Sequence, residues 1–221
     1  MILKDFFLYP GLGDYPDEIV NPCRYETRSI CHFLERELKG LKFAADGFKR
    51  ICFIGMPSPL TQCVVNSTKV LSVEIDFDEA QYLGLVKSEE VLNRFFTTLL
   101  LAGFNKCKAQ FDIPLAELSA GLEKFQAGNY INQWCFKTQT IKGLGIKCAL
   151  NCEMTTAQFR LTLLITKGKE VLFEQQILTT KPDEIVFAHK FKRVALMDDK
   201  LVVFDKFDNP LFELAVAELG L

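Results

Sequence analysis

The strongest constraint in this sequence is an alternation of apolar and polar residues in its second half. Ile146, Cys148, Leu150, Cys152 and Met154 take every second position, with Lys147, Asn151 and Glu153 among the residues between them. Phe159, Leu161, Leu163 and Ile165 repeat the pattern. Successive side chains of a strand point to opposite faces, so a period of two marks strands with one face buried and one in water. Lys167-Gly168-Lys169, Asp198-Asp199 and Asp208-Asn209-Pro210 are turn signals between further apolar runs at 171–178, 201–204 and 211–216. A long strand is read over 185–197. Short turns join neighbours that run in opposite directions, so the part from Tyr130 onward is predicted to be an antiparallel meander of hairpins.

The first half mixes periods. Residues 2–8, 50–54 and 69–77 are rich in Val, Ile and Phe and read as strands. The run 9–16, with Pro10, Gly11, Gly13 and Pro16, reads as a loop. Ile30, Phe33, Leu34, Leu38 and Leu41 recur at three and four, which predicts a helix over 26–39 with Gly40 at its end. Asp76, Asp78 and Glu79 mark a helix start, because carboxylates suit a first turn. Val91, Leu92, Phe95, Phe96, Leu99 and Leu100 form a broad stripe, so the helix over 88–106 is expected to lie against the sheet. Leu115, Leu118, Leu122 and Phe125 draw a narrower stripe over 112–127, with Pro114 in the first turn and Gly128 just past the end. The predicted fold class is α+β: an antiparallel sheet, ending in the hairpin meander, with three or four helices mostly in the N-terminal half. No linker rich in Gly, Ser or Pro divides the chain, so one domain over 1–221 is expected. The alternative is a mixed α/β part, 1–128, followed by an antiparallel β part, 129–221.

Composition narrows the function. Hydrophobic residues make up 49% of the 221 residues and twenty are Phe, enough for a core that needs no disulfide or metal. The formal charge of −2 gives no overall attraction to nucleic acid or anionic lipid. The longest apolar run, near 95–104, falls short of the ~20 residues of a membrane span. Residues 1–8 lack a basic leader and cleavage site, which predicts a cytoplasmic protein. In a reducing compartment the eight cysteines are expected to be free thiols that pack as small core residues.

Motifs for chemistry are sparse. Gly11-Leu12-Gly13 follows a strand, but Pro16 stands where a dinucleotide fingerprint needs its third Gly, so the run reads as a turn. Cys148 and Cys152 lie ~13 Å apart along one strand face and cannot share a zinc ion. There is no Cys-x-x-Cys and no Gly-x-Ser-x-Gly. Neither metal nor cofactor is expected. His32 lies beside Cys31 in a helix, and His189 shares the strand face of Phe187 and Phe191. Lys190 and Lys192 share the other face, the solvated one.

The most informative charged feature is acidic. Glu74, Asp76 and Asp78 alternate with Val73, Ile75 and Phe77 and so face one way, and Glu79 extends the run. The plain reading is the solvent face of a half-buried strand. Carboxylates repeated every ~7 Å repel one another, which points to a cationic partner. Glu74, Asp76, Asp78 and Glu79 are therefore the candidate partner-binding residues.

With few nucleophiles or bases among the turn signals, a binding protein is favoured over an enzyme. In its start at Met1, its acidic stretch 73–79 and its hairpin run 196–214, the chain resembles bacterial immunity proteins that neutralise toxins. That resemblance implies a non-catalytic cytoplasmic protein that binds and blocks a cognate toxin domain, without nucleic acid or membrane. An acidic surface would plug a basic cleft, with charge steering the encounter. Two alternatives stand beside it. One is a small cytosolic hydrolase or transferase pairing a Cys with His32 or His189. The other is a homo-oligomeric scaffold subunit joined through its abundant Phe.

Overall fold

The chain divides into two units, Met1–Asn132 and Gln133–Leu221, and a computed structural model describes all residues 1–221. In the first unit the main strands pair in parallel. β1 (Asp5–Pro10) lies beside β2 (Arg50–Met56), and β2 beside β4 (Val70–Asp76). The two-residue β3 (Val64–Val65) runs antiparallel to β4 and completes the order β1-β2-β4-β3. Parallel neighbours need long crossovers. Between β1 and β2 the crossover is α1 (Asp17–Glu26) and α2 (Arg28–Leu38). The predicted helix over 26–39 is thus the second of two. Asp17 and Glu18 favour the first turn of α1, but Pro22 inside it interrupts the apolar pattern by which a helix is recognised.

After β4 come α3 (Glu79–Leu83), α4 (Glu89–Lys108) and α5 (Leu115–Ala127). Phe6, Leu8, Ile51, Phe53, Leu71 and Val73 are buried in the core that these helices share. The α4 stripe does lie against the sheet: at Gly103 an added Cβ would run into the Phe53 ring. At Gly121 in α5 a Cβ would stand 2.9 Å from Leu34 Cδ2 of α2, so those two helices also touch closely.

An edge strand exposes unpaired backbone groups. On β1 they are covered by side chains from α2 and the residue before it. Thr27 Oγ1 donates to the Leu8 carbonyl at 2.6 Å, Arg28 donates to the Phe6 carbonyl at 2.7 Å, and the Phe6 N–H donates to Glu35 at 2.9 Å. Arg28 and Glu35 pair at 3.3 Å with only 6% and 16% of their side chains exposed.

The second unit is antiparallel throughout. β5 (Gln133–Ile141), β6 (Ile146–Met154), β7 (Phe159–Lys167) and β8 (Glu170–Thr180) form one meander, and β9 (Arg193–Met197), β10 (Lys200–Phe204) and β11 (Pro210–Ala215) a second. The alternating residues of β6 and β7 are buried as predicted, in one core with Val194, Leu201, Val203 and Leu214 of the second sheet. The β7–β8 register slips twice, leaving Leu172 and Ile177 of the edge strand β8 as extra residues opposite no partner.

The long strand predicted over 185–197 is not formed. Asp183 accepts from the Ile185 N–H at 2.9 Å and caps a one-turn helix, α6 (Glu184–Phe187), and β9 begins only at Arg193. Phe187 and Phe191 are four residues apart, a spacing that suits a turn as well as a strand. Both rings stack on Phe159, with centroids 3.7 Å and 5.7 Å away. His189 does not join them: it is half-buried, with its ring 6.2 Å from Phe207. Lys192 pairs with Asp208, as does Arg193.

The fold is therefore α+β, with helices mostly in the N-terminal half. Its parallel pairing was not visible in the turn signals. No helix is long and apolar enough to cross a membrane.

Candidate functional site

The carboxyl ends of parallel strands are where open α/β sheets usually present their binding groups. Here β1 and β4 end at Pro10 and Asp76. The loop after β1 is pinned to the segment after β4 by Tyr15. Its hydroxyl donates to the Phe77 carbonyl at 2.9 Å, and its ring meets Phe77 edge-on at 5.3 Å. This brings Asp14 into the neighbourhood of Asp76, Asp78 and Glu79. Burial pushes the Tyr15 phenol above its ordinary pKa, and the charges of Asp14, Asp76, Glu79 and Asp78 push it further.

The four residues singled out from the sequence take different places. Glu74, on β4, accepts from the Leu60 N–H at 2.7 Å, and its own carbonyl accepts from Lys106 at 2.6 Å, so it holds the loop after β2. Asp76 is the exposed last residue of β4. Asp78 keeps the exposed phase of the alternation, with Phe77 buried before it, although the strand has ended: it caps α3, accepting from the Gln81 N–H at 2.9 Å. Glu79 occupies the first turn of that helix. Asp14 takes the place of Glu74 in the cluster; as a lone carboxylate in a glycine-rich loop it carries no periodic signal in the sequence. Asp14, Asp76, Asp78 and Glu79 make no ion pair. No three His, Cys, Asp or Glu side chains converge as metal ligands would. The arrangement is a negative surface, with one carboxylate, Asp78, held by its cap.

The thiols present a different environment. All eight cysteines are free, and only Cys135 is exposed. Burial raises Cys23, Cys52 and Cys63 above the ordinary thiol value, Cys107 to about 12 and Cys148 to about 11. A nucleophilic thiol needs the opposite shift, since the thiolate is the reactive form. Two outcomes are expected. Ellman's reagent at pH 8 should modify one thiol quickly in the folded protein and the other seven only in denaturant, and Cys135→Ser should remove the fast phase. A second fast thiol would contradict the burial. The raised values also fix a sign. The unfolded thiols ionise from about pH 9, whereas Cys107 and Cys148 stay protonated to about 12 and 11. The unfolded state then binds fewer protons, so their contribution to stability is intact below pH 9 and is lost as pH rises above it. Urea midpoints should fall from pH 9 upward.

His32 Nδ1 lies 3.4 Å from the Asn132 side-chain amide, which itself donates to the Ser29 carbonyl at 2.8 Å. That places the imidazole at the closing turn of the first unit. Comparison of the chain with protein-family models, with curated proteins and with solved structures finds no match.

Proposed function

We propose that the chain is a non-catalytic binding protein that receives a basic protein partner at the carboxyl end of its parallel sheet. The observation that carries this reading is the gathering of Asp14, Asp76, Asp78 and Glu79 around Tyr15 without a cation among them. Like charges held together cost free energy in the isolated protein, and a cationic surface relieves that cost on docking. The backbone that carries the cluster is held before binding by the Tyr15 hydrogen bond, and the Asp78 carboxylate by its cap. Leu12, 68% exposed in the same loop as Asp14, adds apolar surface close to Asp14 in the chain. A toxin domain with a basic cleft is the partner class that fits, which is the immunity-protein reading, in a bacterial cytoplasm. An interface of the usual ~1,600 Å² would extend past the cluster onto its neighbours.

The test compares the wild-type chain with Asp14→Lys/Asp76→Lys/Glu79→Lys, which leaves the Asp78 cap intact. Both are purified gently from their own host and weighed by native mass spectrometry. The expected result is one basic protein bound in stoichiometric amount to the wild type and lost from the variant. Titration of the purified pair should show affinity falling at least about tenfold on charge reversal, and falling further with salt. A partner that holds the variant equally well, or a wild-type chain that associates only with itself, would remove the reading.

A further inference from the structure

The amino end of the same sheet has the opposite electrical character. The N-terminal segment is tied to the stretch after α2: Ile2 bridges Ala44, and the Leu3 N–H donates to the Phe43 carbonyl at 3.0 Å. Between this segment and the outer half of α2 lies a cavity of about 540 Å³. That is within the range of small-ligand sites, roughly 300–1,000 Å³. Leu3 and Leu38, both buried, give it an apolar floor. Four cations line it, Lys4, Arg36, Lys39 and Lys42, against one carboxylate, Glu35. That carboxylate is already engaged by Arg28 and by the Phe6 N–H.

The bland reading of such lysines is a solvated helix end, since cations favour a helix C-terminus. It accounts for Lys39, which caps α2. It does not account for Lys4, which comes from another part of the chain. Nor does it account for Lys42, which holds a left-handed backbone at φ 51°, where glycine or asparagine would sit at lower cost. The ammonium groups of Lys4, Lys39 and Lys42 make no ion pair. A concave site lined by one sign of charge on low-dielectric walls concentrates counter-ions, and this one does so on a chain whose net charge is −2.

We infer that this cavity binds a small organic anion, with a phosphate monoester head between Lys4, Lys39 and Lys42 and a compact apolar body on Leu3 and Leu38. The apolar floor separates this ligand from inorganic phosphate, and the confinement of the cations to one small cavity, with no extended basic stripe beside it, separates it from a nucleic-acid backbone. The inference rests on residues apart from the acidic cluster, so it stands or falls separately from the proposed function.

Isothermal titration of the full chain tests it with three probes: phenyl phosphate, inorganic phosphate and phenol. Phenyl phosphate is expected to bind one to one with Kd below about 1 mM. Inorganic phosphate should bind at least about tenfold more weakly, because it leaves the floor uncovered, and phenol should give no saturable heat. Lys39→Gln/Lys42→Gln should weaken phenyl phosphate at least about tenfold, with far-UV circular dichroism unchanged. Lys4→Gln, on the opposite wall, serves the same purpose should the double variant fold poorly. No saturable binding of phenyl phosphate up to about 10 mM overturns the assignment. So does equal affinity for inorganic phosphate, or an affinity that the lysine substitutions leave unmoved.

Discussion

Arg28→Ala should cost the first unit roughly 3–5 kcal/mol, the loss typical of breaking a buried ion pair from one side. The guanidinium bonds the Phe6 carbonyl, pairs with Glu35 and lies 4.5 Å over the Phe7 ring. Its removal leaves a carboxylate buried beside a sheet edge and takes a donor from that edge. Urea titration followed at 222 nm measures the effect, because most helical residues belong to this unit. Arg28→Met/Glu35→Leu should recover part of the loss by removing both charges. It should not recover all of it, because the Phe6 N–H and carbonyl lose their side-chain partners. A single variant within about 1 kcal/mol of the wild type would mean that the pair is solvated and the edge is held by something else.

Phe159→Ala should have a comparable effect on the second unit, also roughly 3–5 kcal/mol. Phe159 is fully buried, and Phe187, Phe191 and Trp134 have ring centroids 3.7, 5.7 and 6.1 Å from its own. The deleted ring leaves a cavity between β7 and the turn that carries α6, and both faces lose contacts. The chain has one tryptophan, so its fluorescence reports this unit directly. The urea midpoint of the emission should fall, and the native emission should move to longer wavelength as water reaches the indole. Phe159→Leu should cost less, since most of the volume is restored. An alanine variant that unfolds with the wild-type midpoint would show that the aromatic stack adds little to the core.

What could be read from the sequence depended on how local the governing physics is. Alternation at 146–154 and 159–165 needs only neighbours two residues apart, and those strands are where they were expected. The broad stripe of α4 is similarly local, and Gly103 against Phe53 bears it out. The stretch 185–197 shows the limit. Apolar residues at 187 and 191 fit either period, and the choice was made by Asp183 capping a turn. α1 shows no clear helical pattern in the sequence because Pro22 sits inside it. Parallel pairing of β1, β2 and β4 leaves no local mark at all, since strand direction is set by where the crossover returns. The same holds for the candidate sites. Asp14 reaches the other carboxylates through long-range contacts such as Tyr15 with Phe77. Lys4, Lys39 and Lys42 read as three unrelated surface charges until residues 2–3 pair with 43–44.

The two register slips of β8 bear on how the protein behaves at high concentration. β8 is eleven residues long and ends its sheet. A straight strand of that length would be a template on which another chain could polymerise. The extra residues Leu172 and Ile177 break the ladder into short pieces and add local twist, so an incoming strand finds no long run of evenly spaced donors and acceptors. Deleting both residues would remove the two slips and leave an unbroken edge, on which fibre growth is expected.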